Sequence, residues 1–267
     1  MCIVAIAWQL FEKMPLIVLS NRDEFLDRPT LQAHQWADLP IFAGRDEKSG
    51  GTWLGYHQSQ TGNQNGRWAT ILNFREVAYP IANQPSRGQL VTDFLTSDLS
   101  PMAFAKQIKL NEYAGFNLVL GDTNPKSKQA VFVNNRGVSA MALHNGLHVF
   151  SNGQPDAAWF KCERLRTQVY QEILPLIAQN ITTDEWQKVA FEVLSDSVKS
   201  PKDKIADTGL PTEVEQALSS IFIEHNRLNN YGTRSQSVLT SSQQDNGKLV
   251  FLINELSCLE DKTHLSV

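Results

Sequence analysis

The residue most suited to chemistry is the second, in Met1-Cys2-Ile3-Val4-Ala5-Ile6-Ala7-Trp8. Once Met1 is removed, Cys2 carries a thiol and a free α-amino group, so one residue supplies both nucleophile and base. An ordinary thiol, with a pKa near 8.5, is mostly protonated at neutral pH and needs such a base or a cationic neighbour. The α-amine, with a pKa near 8, can serve. A carboxylate is useful to orient that amine, and Asp23 falls at the end of the strand expected to pair with the Cys2 strand. Arg22 or Arg234 can supply a cation that favours the thiolate. The competing reading of Cys2 is a small buried side chain opening a strand, because free cysteine packs well in cores.

The elements that must position these residues follow from hydrophobic periodicity. Alternation over Cys2–Gln9 and Leu16–Leu19 predicts two strands joined by a turn. An irregular segment is expected up to Pro40, with Glu24, Asp27 and Arg28 fixing its start through local ion pairs. Strands follow at Ile41–Arg45, Thr52–Tyr56 and Trp68–Phe74, the last two linked by a polar loop at His57–Gly66. Helices are expected at Arg87–Thr96 and Pro101–Tyr113, the second with proline in its first turn. A meander over Phe116–Leu120, Ala130–Asn134, Val138–Leu143 and Leu147–Ser151 comes next, with Asn145-Gly146 as a hairpin turn.

From Asp156 to Gln179 the pattern is helical, and Cys162 lies on the apolar stripe as a packing residue. Thr183–Leu194, with Thr182 as cap, and Pro211–Ile223 are further helices, separated by a mobile connector at Ser195–Leu210. Strands at Thr233–Thr240 and Leu249–Leu256, joined through Asp245-Asn246-Gly247, close the pattern. Strands group with strands and helices with helices, so the fold class is α+β: antiparallel sheets with helices on their outer faces. With 267 residues, 42% of them hydrophobic, the chain is read as a single domain over residues 1–267.

Twenty-four basic against 28 acidic residues, without a block of like charge, argue against a nucleic-acid partner. No apolar run reaches the roughly 18 to 20 residues of a membrane span, and no leader is recognised. Three cysteines without CxxC spacing argue against a disulfide framework or structural zinc and fit a reducing cytoplasm. Gly50, Gly51 and Gly55 lack the Lys-Ser or Lys-Thr of a phosphate loop and are read as close-packing positions. His144 and His148 lack a neighbouring carboxylate, so no metal or cofactor is expected.

Several motifs carry a family resemblance. Met1-Cys2, Leu19-Ser20-Asn21-Arg22-Asp23-Glu24-Phe25 with Arg28-Pro29, Gly51-Thr52-Trp53-Leu54-Gly55, Leu72-Asn73-Phe74-Arg75, Ser86-Arg87-Gly88-Gln89-Leu90-Val91 and Gly232-Thr233-Arg234-Ser235 occur in order along nearly the whole chain. They resemble the NRDE family, which includes the transport and Golgi organisation protein 2 homologues. More distantly, the chain is similar to the choloylglycine hydrolases, that is, bile salt hydrolases and penicillin V acylases. This second resemblance implies the four-layer αββα sandwich of N-terminal nucleophile hydrolases, with Cys2 as nucleophile and Asn21 and Asp23 at the neighbouring strand end. It also implies that Asn73 and Asn152 meet the oxyanion and that Arg234 completes the site. Those hydrolases carry an arginine two residues before their Asn-x-Asp segment, where this chain has Leu19. Its own Arg22 lies between Asn21 and Asp23, a change of strand parity expected to turn the guanidinium away from Cys2.

The implied function is cleavage of an amide or (thio)ester bond in a small or lipid-like acyl substrate. The alternative is a non-catalytic carrier using the same pocket for a lipid, an acyl-CoA or haem. Specificity is assigned to loops such as Gln32–Pro40, His57–Gly66 and Ser195–Leu210.

Overall fold

A computed structural model describes residues 2–58, 66–77, 84–123, 128–225, 227–245 and 249–259. They form two antiparallel sheets sandwiched between helices, the four-layer αββα arrangement. The first sheet has the order β10-β1-β2-β11-β12, built from Gly146–Phe150, Cys2–Trp8, Leu16–Phe25, Tyr231–Gln243 and Leu249–Ser257. The second runs β3 to β9 in chain order: Thr30–Gln35, Phe42–Asp46, Leu54–Gln58, Gly66–Asn73, Phe116–Asp122, Gln129–Asn134 and Met141–Ala142.

Alternation within β1 explains its place. Val4, Ile6 and Trp8 point between the sheets and meet Trp68, Leu72 and Phe132, whereas Ile3, Ala5 and Ala7 face the outer helices. Buried on both faces, the strand is apolar throughout. The outer helices on its sheet are α3 (Phe160–Gln168), α4 (Leu174–Ala178) and α5 (Thr183–Leu194), which contribute Leu165, Ile177 and Trp186. On the other sheet, α1 (Arg87–Thr96) lays Leu90, Val91 and Phe94 against Ile71 and Leu118, and α2 (Pro101–Gln107) adds Ala105. A short α6 spans Thr212–Ala217. No helix among the described residues is long and apolar enough to cross a membrane.

Several expectations need correction. β2 continues past Leu19 to Phe25, and the supposedly irregular stretch contains β3, a polar edge strand whose Thr-Leu-Gln-Ala-His-Gln sequence has little apolar alternation. Leu147–Ser151 does not extend the meander: β10 leaves the second sheet and pairs with β1 in the first. Asn145-Gly146 therefore joins strands of different sheets, although Gly146 does take a positive φ, 156°. The helix read to Tyr113 ends at Gln107, and Asn135 Nδ2 donates to the carbonyls of Leu110, Tyr113 and Ala114 in the segment that follows.

The helix read over Asp156–Gln179 starts at Phe160 and widens into a π turn at Val169–Ile173, just before Pro175, which has no N–H to give. α6 stops short of Ile223, and the Leu218 carbonyl beyond it accepts from Arg75. The connector expected to be mobile is tied down: Ser200 N–H donates to Ser219 Oγ, and Thr208 N–H donates to Glu215. The tip of the His57–Gly66 loop and the turn residues Asn246 and Gly247 lie outside the described residues.

The inter-sheet core is close-packed. A Cβ on Gly121 would stand 2.1 Å from the indole of the fully buried Trp68. Gly121→Ala is expected to cost about 1 to 3 kcal/mol through this overpacking, read as a lowered urea midpoint with unchanged slope.

Candidate active site

The end of β2, the start of β1, the end of β6 and the start of α1 surround a cavity of about 470 Å³. Cys2, Arg22, Asp23 and Asn73 all border it. In the β1–β2 ladder Cys2 pairs directly with Arg22, and directly opposed residues share a face. The guanidinium therefore sits on the sulfur's side of the sheet, which corrects the expectation drawn from strand parity. It lies 4.1 Å over the Trp53 ring and donates to Thr30 Oγ1 and Asp46 Oδ2 at 3.0 and 3.3 Å.

Asp46 ends β4 and organises this wall. Its Oδ2 also accepts from Arg28 Nε at 2.7 Å, while its Oδ1 accepts the N–H groups of Lys48 and Ser49 in a turn closed by Gly50 at φ 77°. Burial opposes its ionisation, yet Arg28 and Arg22 outweigh that and hold the carboxyl below its ordinary range. Arg28 also lies 3.8 Å from Glu24, the local pair expected here. Beyond the turn, Gly51 meets the start of α1 main chain to main chain: a Cβ there would lie 2.6 Å from the Gly88 carbonyl carbon. Gly55 packs as closely against Ala43 of β4.

Asp23 is buried beside Cys2, and its Oδ1 accepts from Thr233 Oγ1 at 2.7 Å. Burial raises its carboxyl, with the charges of Lys161 and Arg75 and the Thr233 hydrogen bond pulling the other way. Burial also pushes the Cys2 thiol up, as does the charge of Asp23; the Asp23 backbone N–H and Arg22 oppose this.

Asn152 is fully buried behind the cavity wall and does not border the cavity. Its Nδ2 donates to the Asn73 carbonyl at 2.8 Å, and its Oδ1 accepts from Ser151 Oγ and, at 3.4 Å, from Lys161 Nζ. Ser151 Oγ also lies 2.8 Å from the Cys2 carbonyl oxygen. Asn152 thus ties the end of β6 to the β1 layer, and of the two asparagines it is Asn73 that borders the cavity.

Two other residues fall elsewhere. Asn21 projects from the opposite face of β2, where its Nδ2 donates to the carbonyls of Leu194 and Ile221. Arg234 occupies a bulge in β11, between the pairs Thr233↔Asp23 and Ser235↔Arg22, and its Nη1 donates to the carbonyls of Phe25 and Arg28. It clamps the turn after β2, and the cation presented to the cavity beside Cys2 is Arg22. Of the three loops expected to set specificity, Leu210 alone among the described residues borders the cavity.

Motif reading gave no role to Arg75, Glu76, Arg87 or Lys161. The first three border the cavity, and Arg75 pairs with the buried Glu215 at 2.7 Å. Lys161 had a signal. It lies four residues before Leu165 and so carries a charge onto the apolar stripe of α3.

Only 1% of Lys161 is exposed, and burial, aided by Arg75, lowers its ammonium to about 8 from the usual 10.5. Because the folded value is the lower one, the unfolded chain binds more protons between those limits, and stability rises with pH through that window. A rise of about 3 kcal/mol is expected from pH 8 to 10.5, absent in Lys161→Met, measured as urea midpoints across pH.

The sequence pattern of the Transport and Golgi organisation 2 family matches residues 1–254. The chain is 30% identical over 234 residues to the human Transport and Golgi organization protein 2 homolog, covering 84% of this chain and 81% of that protein. It is 28% identical over 258 residues to the mouse homolog, covering 93% and 88%, and 26% identical over 267 residues to the Drosophila melanogaster protein, covering 94% and 91%. With its motifs spread over both sheets and around the cavity, the chain belongs to the Transport and Golgi organisation 2 family.

Proposed function

We propose that the chain is a single-domain acyl hydrolase whose nucleophile is the Cys2 sulfur, acting on an amide or (thio)ester of a small or lipid-like substrate. The observation that carries this reading is the shared cavity: Cys2, Arg22, Asp23 and Asn73, which bring a thiol, a guanidinium, a carboxylate and a carboxamide, all border one space. Its three cysteines are free thiols, which fits a reducing cytoplasm.

With Met1 removed, the α-amine of Cys2 takes the thiol proton as sulfur attacks the acyl carbon. A C–S bond forms and the carbonyl electron pair moves onto oxygen, where the Asn73 amide donates. Such a donor is worth about 3 to 4 kcal/mol in other enzymes. Collapse breaks the bond to the leaving group, which takes the proton from the α-ammonium, and water then cleaves the acyl thioester. Asp23 orients the amine, Arg22 favours the thiolate, and Asn152 positions Asn73 through its carbonyl.

The cavity of about 470 Å³ also admits a second reading, a carrier that holds a lipid, an acyl-CoA or haem there without bond cleavage. Intact-mass spectrometry of natively purified protein separates the two. The hydrolase reading expects a chain lacking Met1 that gains one acyl group from 4-nitrophenyl hexanoate, and a folded Cys2→Ser variant that gains none. Retained Met1, or equal labelling of Cys2→Ser, rejects it.

A further inference from the structure

Four arginines border the cavity, and three are matched by carboxylates: Arg22 and Arg28 by Asp46, with Glu24 near Arg28, and Arg75 by Glu215. Glu76, on the same wall, is taken by Arg136. Asp23, the other bordering acid, lies within the field of Lys161. Arg87 differs. Among the described residues it makes no ion pair, and its Nη1 donates to the Gly115 carbonyl at 2.9 Å.

That carbonyl also accepts the Phe74 N–H at 2.8 Å, so the guanidinium is held at the end of β6, next to Asn73. It lies within the field of Glu24, which is itself 3.8 Å from Arg28, and near enough to Cys2 to feel a charge on the sulfur. One arm of the planar fork is engaged, which leaves Nε and Nη2 for a ligand, and a guanidinium keeps its charge under any ordinary condition. With no carboxylate among the described residues in contact with it, the fork fits one supplied by a ligand through two parallel hydrogen bonds. The cavity border also carries apolar surface: Phe25, 53% exposed, meets Tyr231 edge to face with ring centres 5.3 Å apart, and Leu210 is a further apolar bordering residue.

We infer that the substrate carries a carboxylate, held by Arg87 on the Asn73 side of the reacting carbonyl, with an apolar group directed to Phe25, Tyr231 and Leu210. The position of that carbonyl over Cys2 rests on the hydrolase reading; the carboxylate subsite does not. Arg87 is a specificity residue, and the bond-breaking roles stay with Cys2, Asp23 and Asn73.

The test uses the full chain with Cys2→Ala, which cannot turn over, and titrates monohexyl succinate and its uncharged methyl ester by calorimetry. The acid is expected to bind at least about tenfold more tightly than the diester, and Arg87→Gln to reduce that preference to about twofold or less. Should Arg87→Gln fail to fold, Arg87→Lys keeps the charge without the fork and is expected to cut the preference at least about threefold. Equal binding of the two ligands, no binding of the acid at millimolar concentration, or a preference untouched by the substitution at Arg87 overturns the inference. A wild-type chain that fails to form the acyl-enzyme while Cys2→Ala keeps the Arg87-dependent preference would instead reject the hydrolase and leave the subsite standing.

Discussion

The register between β1 and β2 holds the candidate site together. Because side chains alternate with a period of two, a slip of one residue would turn Cys2 toward the outer helices and place Ile3 on the cavity side. The slip is resisted on both edges of β1, by seven paired positions with β2 and five with β10. It is also resisted on both faces, since every second residue fills one of two separate cores. The same ladder puts Arg22 beside the sulfur, and β11 fixes Asp23 through its pairing with Thr233.

Charge compensation is the second constraint. A pocket this rich in buried ionic groups is stabilised because most of its charges are matched, Arg87 being the exception. Asp46 serves two guanidiniums at once, Glu215 serves Arg75, and the buried Lys161 lies opposite Asp23. The side chains doing this matching come from β4, α3 and α6, far apart in sequence, so the cavity is assembled by tertiary packing.

Much of the frame was readable from periodicity. The apolar run at Cys2–Trp8, its partner after Pro15 and the capped helix at Thr183 carry local signals strong enough to survive tertiary context; Glu185 indeed accepts from both the backbone N–H and the hydroxyl of Thr182. The polar strand β3 was illegible because edge position, not apolar alternation, defines it. The crossover into β10 was illegible for a different reason: Asn145-Gly146 signals a reversal, but not which sheet receives the strand that follows. For the site, residue types were readable and directions were not. Parity argued that Arg22 faced away because the comparison strand carried its arginine elsewhere, whereas what decides direction is pairing with Cys2 itself. Asn152 and Arg234 had the right chemistry and lie close by, yet each spends its donors on main-chain carbonyls.

The contact of Gly51 with Gly88 bears on how such a cavity can change. Two main chains touch there with no side chain between them, so α1 has no cushion on which to slide toward or away from the segment that leads through Trp53 into β5. That wall behaves as a fixed jaw. A change in ligand size would then have to be met by other bordering side chains such as Phe25 and Leu210, since the Tyr231 hydroxyl donates to the Asp23 carbonyl at 2.9 Å.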